Sequence, residues 1–444
     1  MQLRTICTVV TTAMLLALGL ALITGCSDSP STSGALTINP APNLHPESPV
    51  PLYVAARTSN GTWQRLQAGG NGVYTAPVSD PDGRYTVLMV MNRAMQGSTR
   101  VTQGYGDVIL VHGTVQEMPS LWYGFGDNNP LNSPYTVSGS ISNAPTSPYT
   151  SLEVRMGRYG MWSSDLYNRS SYQLYNPPPA GTWDLVAYTR SHIRFQPEAF
   201  IVQRNIVMTG DLVRNLDFST VVPADTAQFS LSGGAWGDTY AYVDGITANG
   251  TEVSVSDFYE NQSTVPFVLL PQPAGGDLYR IYGQATDDNA VVNLTAWYAA
   301  LQNRTVPLPE QYTGATVDYS GAAPVIGGLD YSSATYGTAK GYRVDLTGFD
   351  EDENWHNWSC YFTPGALQGA TSFILPAPGI LPGWNDDWSL PMAAHPGWRV
   401  IAFGGTLSTT ELLDLYLNDR SRYDVPHQDG TALYSAYCET GTNQ

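Results

Sequence analysis

Two stretches near the C-terminal end hold the residues best suited to chemistry. Asp350-Glu351-Asp352-Glu353-Asn354 runs directly into Trp355-His356-Asn357-Trp358, and Asn385-Asp386-Asp387 lies between Trp384 and Trp388. Carboxylates and amides this dense would supply the six to eight oxygens that calcium takes, with Asp350, Asp352, Asn354, Asp386 and Asp387 as the ligands. No Asp-x-Asp-x-Asp-Gly loop closed by a glutamate accompanies them, so the plainer reading is a solvated acidic loop whose charges repel. Trp355, Trp358, Trp384 and Trp388 sit in polar, loop-like sequence and are expected to be exposed. Exposed indoles stack on sugar rings or grip a protein partner, whereas buried ones pack a core and donate their N–H locally.

Other chemistry is thinly spread. There is no Gly-x-Ser-x-Gly elbow, no His-Glu-x-x-His, no Walker loop and no Gly-x-Gly-x-x-Gly after a strand. His45, His112, His192, His356, His395 and His427 are scattered singly, and Lys340 is the only lysine. The chain is therefore read as non-enzymatic, with no catalytic residue and no cofactor beyond the calcium considered above. A hydrolase with an unrecognised site is the enzymatic alternative.

Before Asp28 the only charge is Arg4, and an apolar stretch from Ala13 to Ile23 leads into Leu22-Ile23-Thr24-Gly25-Cys26. A basic start, a short apolar core and small residues before a cut describe a secretory signal, not a spanning helix. Ile23-Thr24-Gly25-Cys26 resembles the lipobox of bacterial lipoproteins, and that resemblance implies that Cys26 becomes the acylated first residue of the mature chain. Two or more acyl chains hold a protein stably without a transmembrane segment. The expected address is the bacterial cell envelope, at the outer membrane or the cell surface. Removal of the signal and use of Cys26 leave only Cys360 and Cys438. In an oxidising compartment they would form one disulfide, two buried free thiols being the alternative.

Composition narrows the partners. The 444 residues carry a net charge of −18, a surface that repels nucleic acid and anionic headgroups. Membrane contact would come from the lipid alone, and the remaining partner would be a glycan or a cell-surface protein. With 43 Gly, 31 Pro, 28 Tyr and 11 Trp, the chain favours short strands joined by tight turns.

Those turns repeat. Pro81-Asp82-Gly83, Pro179-Ala180-Gly181, Pro273-Ala274-Gly275 and Pro396-Gly397 each lead into an aromatic-led apolar strand, beginning at Tyr85, Trp183, Tyr279 and Trp398. Gly83, Gly181, Gly275 and Gly397 lie 98, 94 and 122 residues apart, the size of a small sandwich domain. Openings recur at Val137-Ser138-Gly139-Ser140-Ile141, Phe229-Ser230-Leu231-Ser232-Gly233 and Val325-Ile326-Gly327-Gly328-Leu329. Leu216-Asp217-Phe218-Ser219 is echoed by Val317-Asp318-Tyr319-Ser320. The expected organisation is a signal at 1–25, a tether at 26–36, and four units at 37–130, 131–222, 223–320 and 321–444. The fold class is all-β, tandem β-sandwiches of transthyretin-like or immunoglobulin-like form. One short helix follows the capping box Ser408-Thr409-Thr410-Glu411.

Unit two resembles the carboxypeptidase regulatory-like domain, a transthyretin-like sandwich. Val137-x-Gly139-x-Ile141, Tyr172-x-Leu174, Pro178-Pro179-Ala180-Gly181-Thr182-Trp183-Asp184-Leu185 and Leu216-Asp217-Phe218 carry the likeness. It implies a non-catalytic accessory or structural role. A lipid-anchored structural or adhesive surface protein is the expectation that follows, with a carbohydrate-binding lipoprotein using the Trp- and Asp-rich loops of unit four as the alternative.

Overall fold

Each proline-glycine turn delivers the central strand of a sheet. The strands Arg84–Asn92, Gly181–Ser191, Leu278–Asp287 and Gly397–Gly405 follow the four turns, and each lies between two antiparallel neighbours. The computed structural model describes residues 34–41, 50–58, 61–92, 106–123, 133–144, 150–164, 170–191, 196–233, 236–349, 355–392, 396–417 and 428–439. Gly83 shows why the turn needs glycine. Its φ is +70°, and a Cβ there would lie 2.6 Å from the Val115 side chain.

The architecture is all-β, with paired sheets in every unit. In unit one the outer sheet is Tyr74–Val78, Gly34–Pro40 and Ser120–Tyr123, with the last two parallel. The recurrent openings form the equivalent outer strands Val137–Ser142, Thr226–Ser232 and Val325–Gly327. Gly139 allows the parallel closing segment of unit two to come close, because a Cβ would sit 1.7 Å from the Arg214 carbonyl oxygen. Beside Val325–Gly327 of unit four the parallel strand is replaced by Thr316–Asp318, from the end of the 223–320 stretch, which runs antiparallel. The Leu216 and Val317 echoes therefore share a local turn rather than a place in the fold. Asp217 accepts from the Ser219 N–H at 2.9 Å, and Asp318 from the Ser320 N–H at 2.8 Å.

Three inner sheets join edge to edge into one sheet of thirteen strands. Ala290–Tyr298 of unit three pairs antiparallel with Ala432–Glu439 of unit four, from Ala290↔Cys438 to Ala296↔Ala432. Trp355–Phe362 of unit four pairs parallel with Gly106–Thr114 of unit one, from Asn357↔Asp107 to Phe362↔His112. Unit two keeps a separate five-stranded sheet.

The covering layers change sides along the fused sheet. In units three and four, Phe229, Val306 and Ile326 of the outer sheets share one core with Val243, Ile281 and Val344. In unit one, Leu36 and Ile38 cover the opposite face, packing with Val54, Val87 and Met89. The face left over, with Tyr53, Leu88 and Val90, is closed by Leu381, Trp388 and Leu390 of unit four. The middle of the unit-one sheet is thus buried on both faces, which is why Val87-Leu88-Met89-Val90-Met91 is apolar without alternation.

The C-terminal helix is Thr409–Leu417. The Ser408 N–H donates to Glu411 at 2.8 Å and the Glu411 N–H to Ser408 Oγ at 3.2 Å, the reciprocal bonds of a capping box. Leu412 and Leu413 bury against Phe403 and Leu433.

Cys360 and Cys438 are both buried and free, so the expected disulfide is not formed. They occupy the two ends of the row Cys360–Val344–Val400–Cys438, three strand spacings apart. That is about 14 Å, against the roughly 4.4–6.8 Å between Cα atoms that a bridge needs. Burial raises both thiols above their ordinary range.

Candidate functional site

Strand alternation sorts the Trp-rich sequence of unit four. On Trp355–Phe362 the side chains of His356, Trp358, Cys360 and Phe362 are buried, and Trp355, Asn357, Ser359 and Tyr361 take the opposite face. Trp355 is 40% exposed and meets Phe349 across the hairpin, edge to face, at 4.8 Å. The other three tryptophans depart from the expected exposure. Trp358 and Trp388 are buried and Trp384 is half-buried against the core. With Tyr53 of unit one they form one ring cluster, at centroid separations of 5.3–5.9 Å. The Trp358 indole donates to the Trp388 carbonyl at 2.9 Å, and the Tyr53 hydroxyl to the Pro382 carbonyl at 3.2 Å. These rings pack the joint between units one and four.

Asp386 and Asp387 lie exposed in a 3-10 turn, Asp386–Trp388, capped by Asn385. Among the described residues no three His, Cys, Asp or Glu side chains gather as a metal would need. Asp350, Asp352, Asn354 and Cys26 fall outside the described residues.

What the outer face does assemble is a shallow groove of about 320 Å³. Two register rows build it. Asn357, Thr347 and Gly397 lie side by side, and so do Ser359, Asp345, Arg399 and Glu439. Gly397 brings no side chain, so the first row dips between Trp355 on one side and Arg399 on the other. Asp345 accepts from Ser359 Oγ at 2.7 Å and Arg343 Nε at 2.8 Å, and Glu439 accepts from Arg399 Nε at 2.6 Å. Each guanidinium is matched by a carboxylate, which leaves the groove polar and close to neutral.

Sequence reasoning missed Arg343, Asp345, Asn357, Arg399 and Glu439. The signal was present in Arg343-x-Asp345-x-Thr347-x-Phe349 and Trp355-x-Asn357-x-Ser359-x-Tyr361, two strands with one polar or aromatic face. The same face continues into unit three. Arg399 lies 5.6 Å from the Tyr437 ring centre, Asn293 donates to the Tyr437 hydroxyl at 2.7 Å, and the Tyr282 hydroxyl donates to Asn293 at 2.9 Å. Tyr282 in turn stacks on Tyr242 at 5.1 Å.

A second charged cluster joins units two and three. Asp184, fully buried, accepts from Arg204 at 3.1 Å, the Asn205 N–H at 2.8 Å and Asn249 at 2.8 Å. Arg204 also forks onto both oxygens of Asp277, at 2.8 and 2.7 Å. Burial alone would raise the Asp184 carboxyl, but hydrogen bonds from Asn249, the Asn205 amide, Thr247 and Arg204 hold it below the usual range. The donors come from both units, so this cluster is an internal joint.

No family model matches the chain, and no curated protein matches it. Among solved structures it is similar to the Bacillus anthracis TIE protein at 12% identity, over 62% of this chain and 49% of that one, with a TM-score of 0.14. The chain thus spans about half the length of that relative. A putative adhesin from Bacteroides ovatus aligns at 8% identity over 39% of this chain and 89% of its own, with a TM-score of 0.15. The chicken CNTN1 FN1-FN3 domains align at 11% identity over 53% and 85%, with a TM-score of 0.12. At these scores the three alignments carry no argument about activity.

Proposed function

We propose that the chain is a non-enzymatic surface protein of the bacterial envelope, anchored through acylated Cys26, with a structural or adhesive role. The observation that carries this reading is the thirteen-strand sheet, which fixes three units into one body. Main-chain ladders at both junctions resist bending far better than flexible linkers, as a surface spacer requires. The polar stretch from Ser27 to Ser33 would hold that body clear of the bilayer.

Growth with a labelled fatty acid tests the anchor. Label should enter the wild-type chain and be absent from Cys26→Ser, which should also leave the membrane fraction. Equal labelling of both, or of neither, contradicts the anchor.

A further inference from the structure

We infer that the groove on the outer face of unit four binds an uncharged saccharide chain, with Trp355 as its stacking platform. The inference deepens the adhesive reading but does not require the anchor, so the two fail separately.

A sugar ring presents C–H groups on its faces and hydroxyls around its rim. The face of an indole carries the negative side of the ring quadrupole and suits those C–H groups. Trp355 supplies such a surface, propped edge-on by the exposed Phe349. Asn357 stands one row away and Asp345, Arg399 and Glu439 two rows away, amide, carboxylate and guanidinium groups that would bond a hydroxyl rim. Their geometry is set in advance by the sheet and by the pairs Arg343–Asp345 and Arg399–Glu439. Preorganised polar groups cost less to order on binding.

Charge selects among ligands. Both arginines are already met by carboxylates, and the chain carries −18 overall. An anionic polymer would be repelled at long range and would find no spare cation in the groove. The dip at Gly397 admits a ring-sized group. Beyond it, the half-buried Tyr437 and Tyr282, held in place by buried Asn293, continue the face across the seam with unit three and offer ring and hydroxyl contacts to a longer chain.

The test uses the full-length protein in detergent, titrated calorimetrically with soluble β-glucan, xylan, mannan and dextran, and with alginate and a mixed peptide library as contrasts. At least one neutral polysaccharide should bind saturably and change the tryptophan fluorescence. Trp355→Ala should weaken that binding about tenfold or more, and Trp355→Phe should recover most of it. Tyr175→Ala, an exposed ring on unit two, should leave it unchanged. The variant sites are on the surface, and circular dichroism checks that each still folds. Absence of binding to every neutral polymer at millimolar concentration overturns the inference. So does unchanged binding by Trp355→Ala, or binding of alginate or peptide alone.

Discussion

Units two and four each pair an inner sheet with an outer one, yet they meet their neighbours by different physics. Unit four shares backbone ladders on both sides, seven register pairs with unit three and six with unit one. Unit two meets unit three mainly through side chains, with no shared ladder among the described residues: apolar Val186, Tyr188 and Phe200 on one hand, and the Asp184–Arg204–Asp277 cluster on the other. A ladder satisfies buried peptide groups at each step and depends little on residue type. A buried ion cluster depends on every member, since removing one partner leaves an uncompensated charge. Two units with the same inner-sheet order can therefore differ in how sequence-sensitive their joints are.

The largest effect should come from breaking a ladder. Ala436 lies mid-strand with neighbours on both sides, paired with Val292 and Ala402. Ala436→Pro removes a donor in a central strand and should cost about 4–5 kcal/mol, at the upper end of single substitutions. Urea unfolding should then show units three and four separating early while unit two keeps its own transition.

Asp184→Ala should come next, at about 3 kcal/mol, because Arg204 and Asn249 lose a fully buried partner. The loss should appear in the transition of unit two, leaving the fused sheet nearly unchanged. An equal fall in both transitions would erase the distinction between the joints.

Acid separates the joints in another way. His112 sits where units one and four meet, with its Nδ1 3.0 Å from Thr86 Oγ1 and its Nε2 3.2 Å from the Ala366 carbonyl. Burial lowers it to about 4, against the Ala366 hydrogen bond, with Arg57 and Arg84 adding repulsion. Between pH 6.5 and 4 the unfolded chain then binds the extra proton, so stability rises with pH in that window. The contribution is complete above 6.5 and falls by about 3 kcal/mol on the way to pH 4. Asp184 is depressed from an already acidic value, and what it contributes is lost only as pH falls through its lowered range. Unfolding measured across pH should thus weaken the fused sheet first, and His112→Leu should flatten that slope.

The smallest effect distinguishes free thiols from a bridge. Dithiothreitol should leave the unfolding midpoint unmoved, because Cys360 and Cys438 are free. A drop on reduction would require them to be linked.

Much of the fold was legible along the chain because it rests on local physics. Proline-glycine turns marked a strand in every unit, period-two alternation supported those of units two, three and four, and Ser408 with Glu411 marked the helix start. The junctions were not legible. Whether Trp355–Phe362 pairs with Gly106–Thr114 is decided by contacts some 250 residues apart, and no turn marks it. The fate of the tryptophans followed from that hidden junction. Trp384 and Trp388 sit in polar sequence, yet they are drawn inward because unit one leaves a face that only unit four can cover. Cys360 and Cys438 misled for the same reason, since their separation is set by the number of strands between them. The groove was half legible: Trp355 stood out by type, while Asp345 and Arg399 required the register.

Hydrogen exchange under graded urea tests the shared sheet most directly. Amides in Gly106–Thr114, Trp355–Phe362, Ala432–Glu439 and Ala290–Tyr298 should lose protection together, with Gly181–Ser191 of unit two opening as a separate group. Separate openings for units one, three and four, each with its own midpoint, would contradict a sheet that runs through all three.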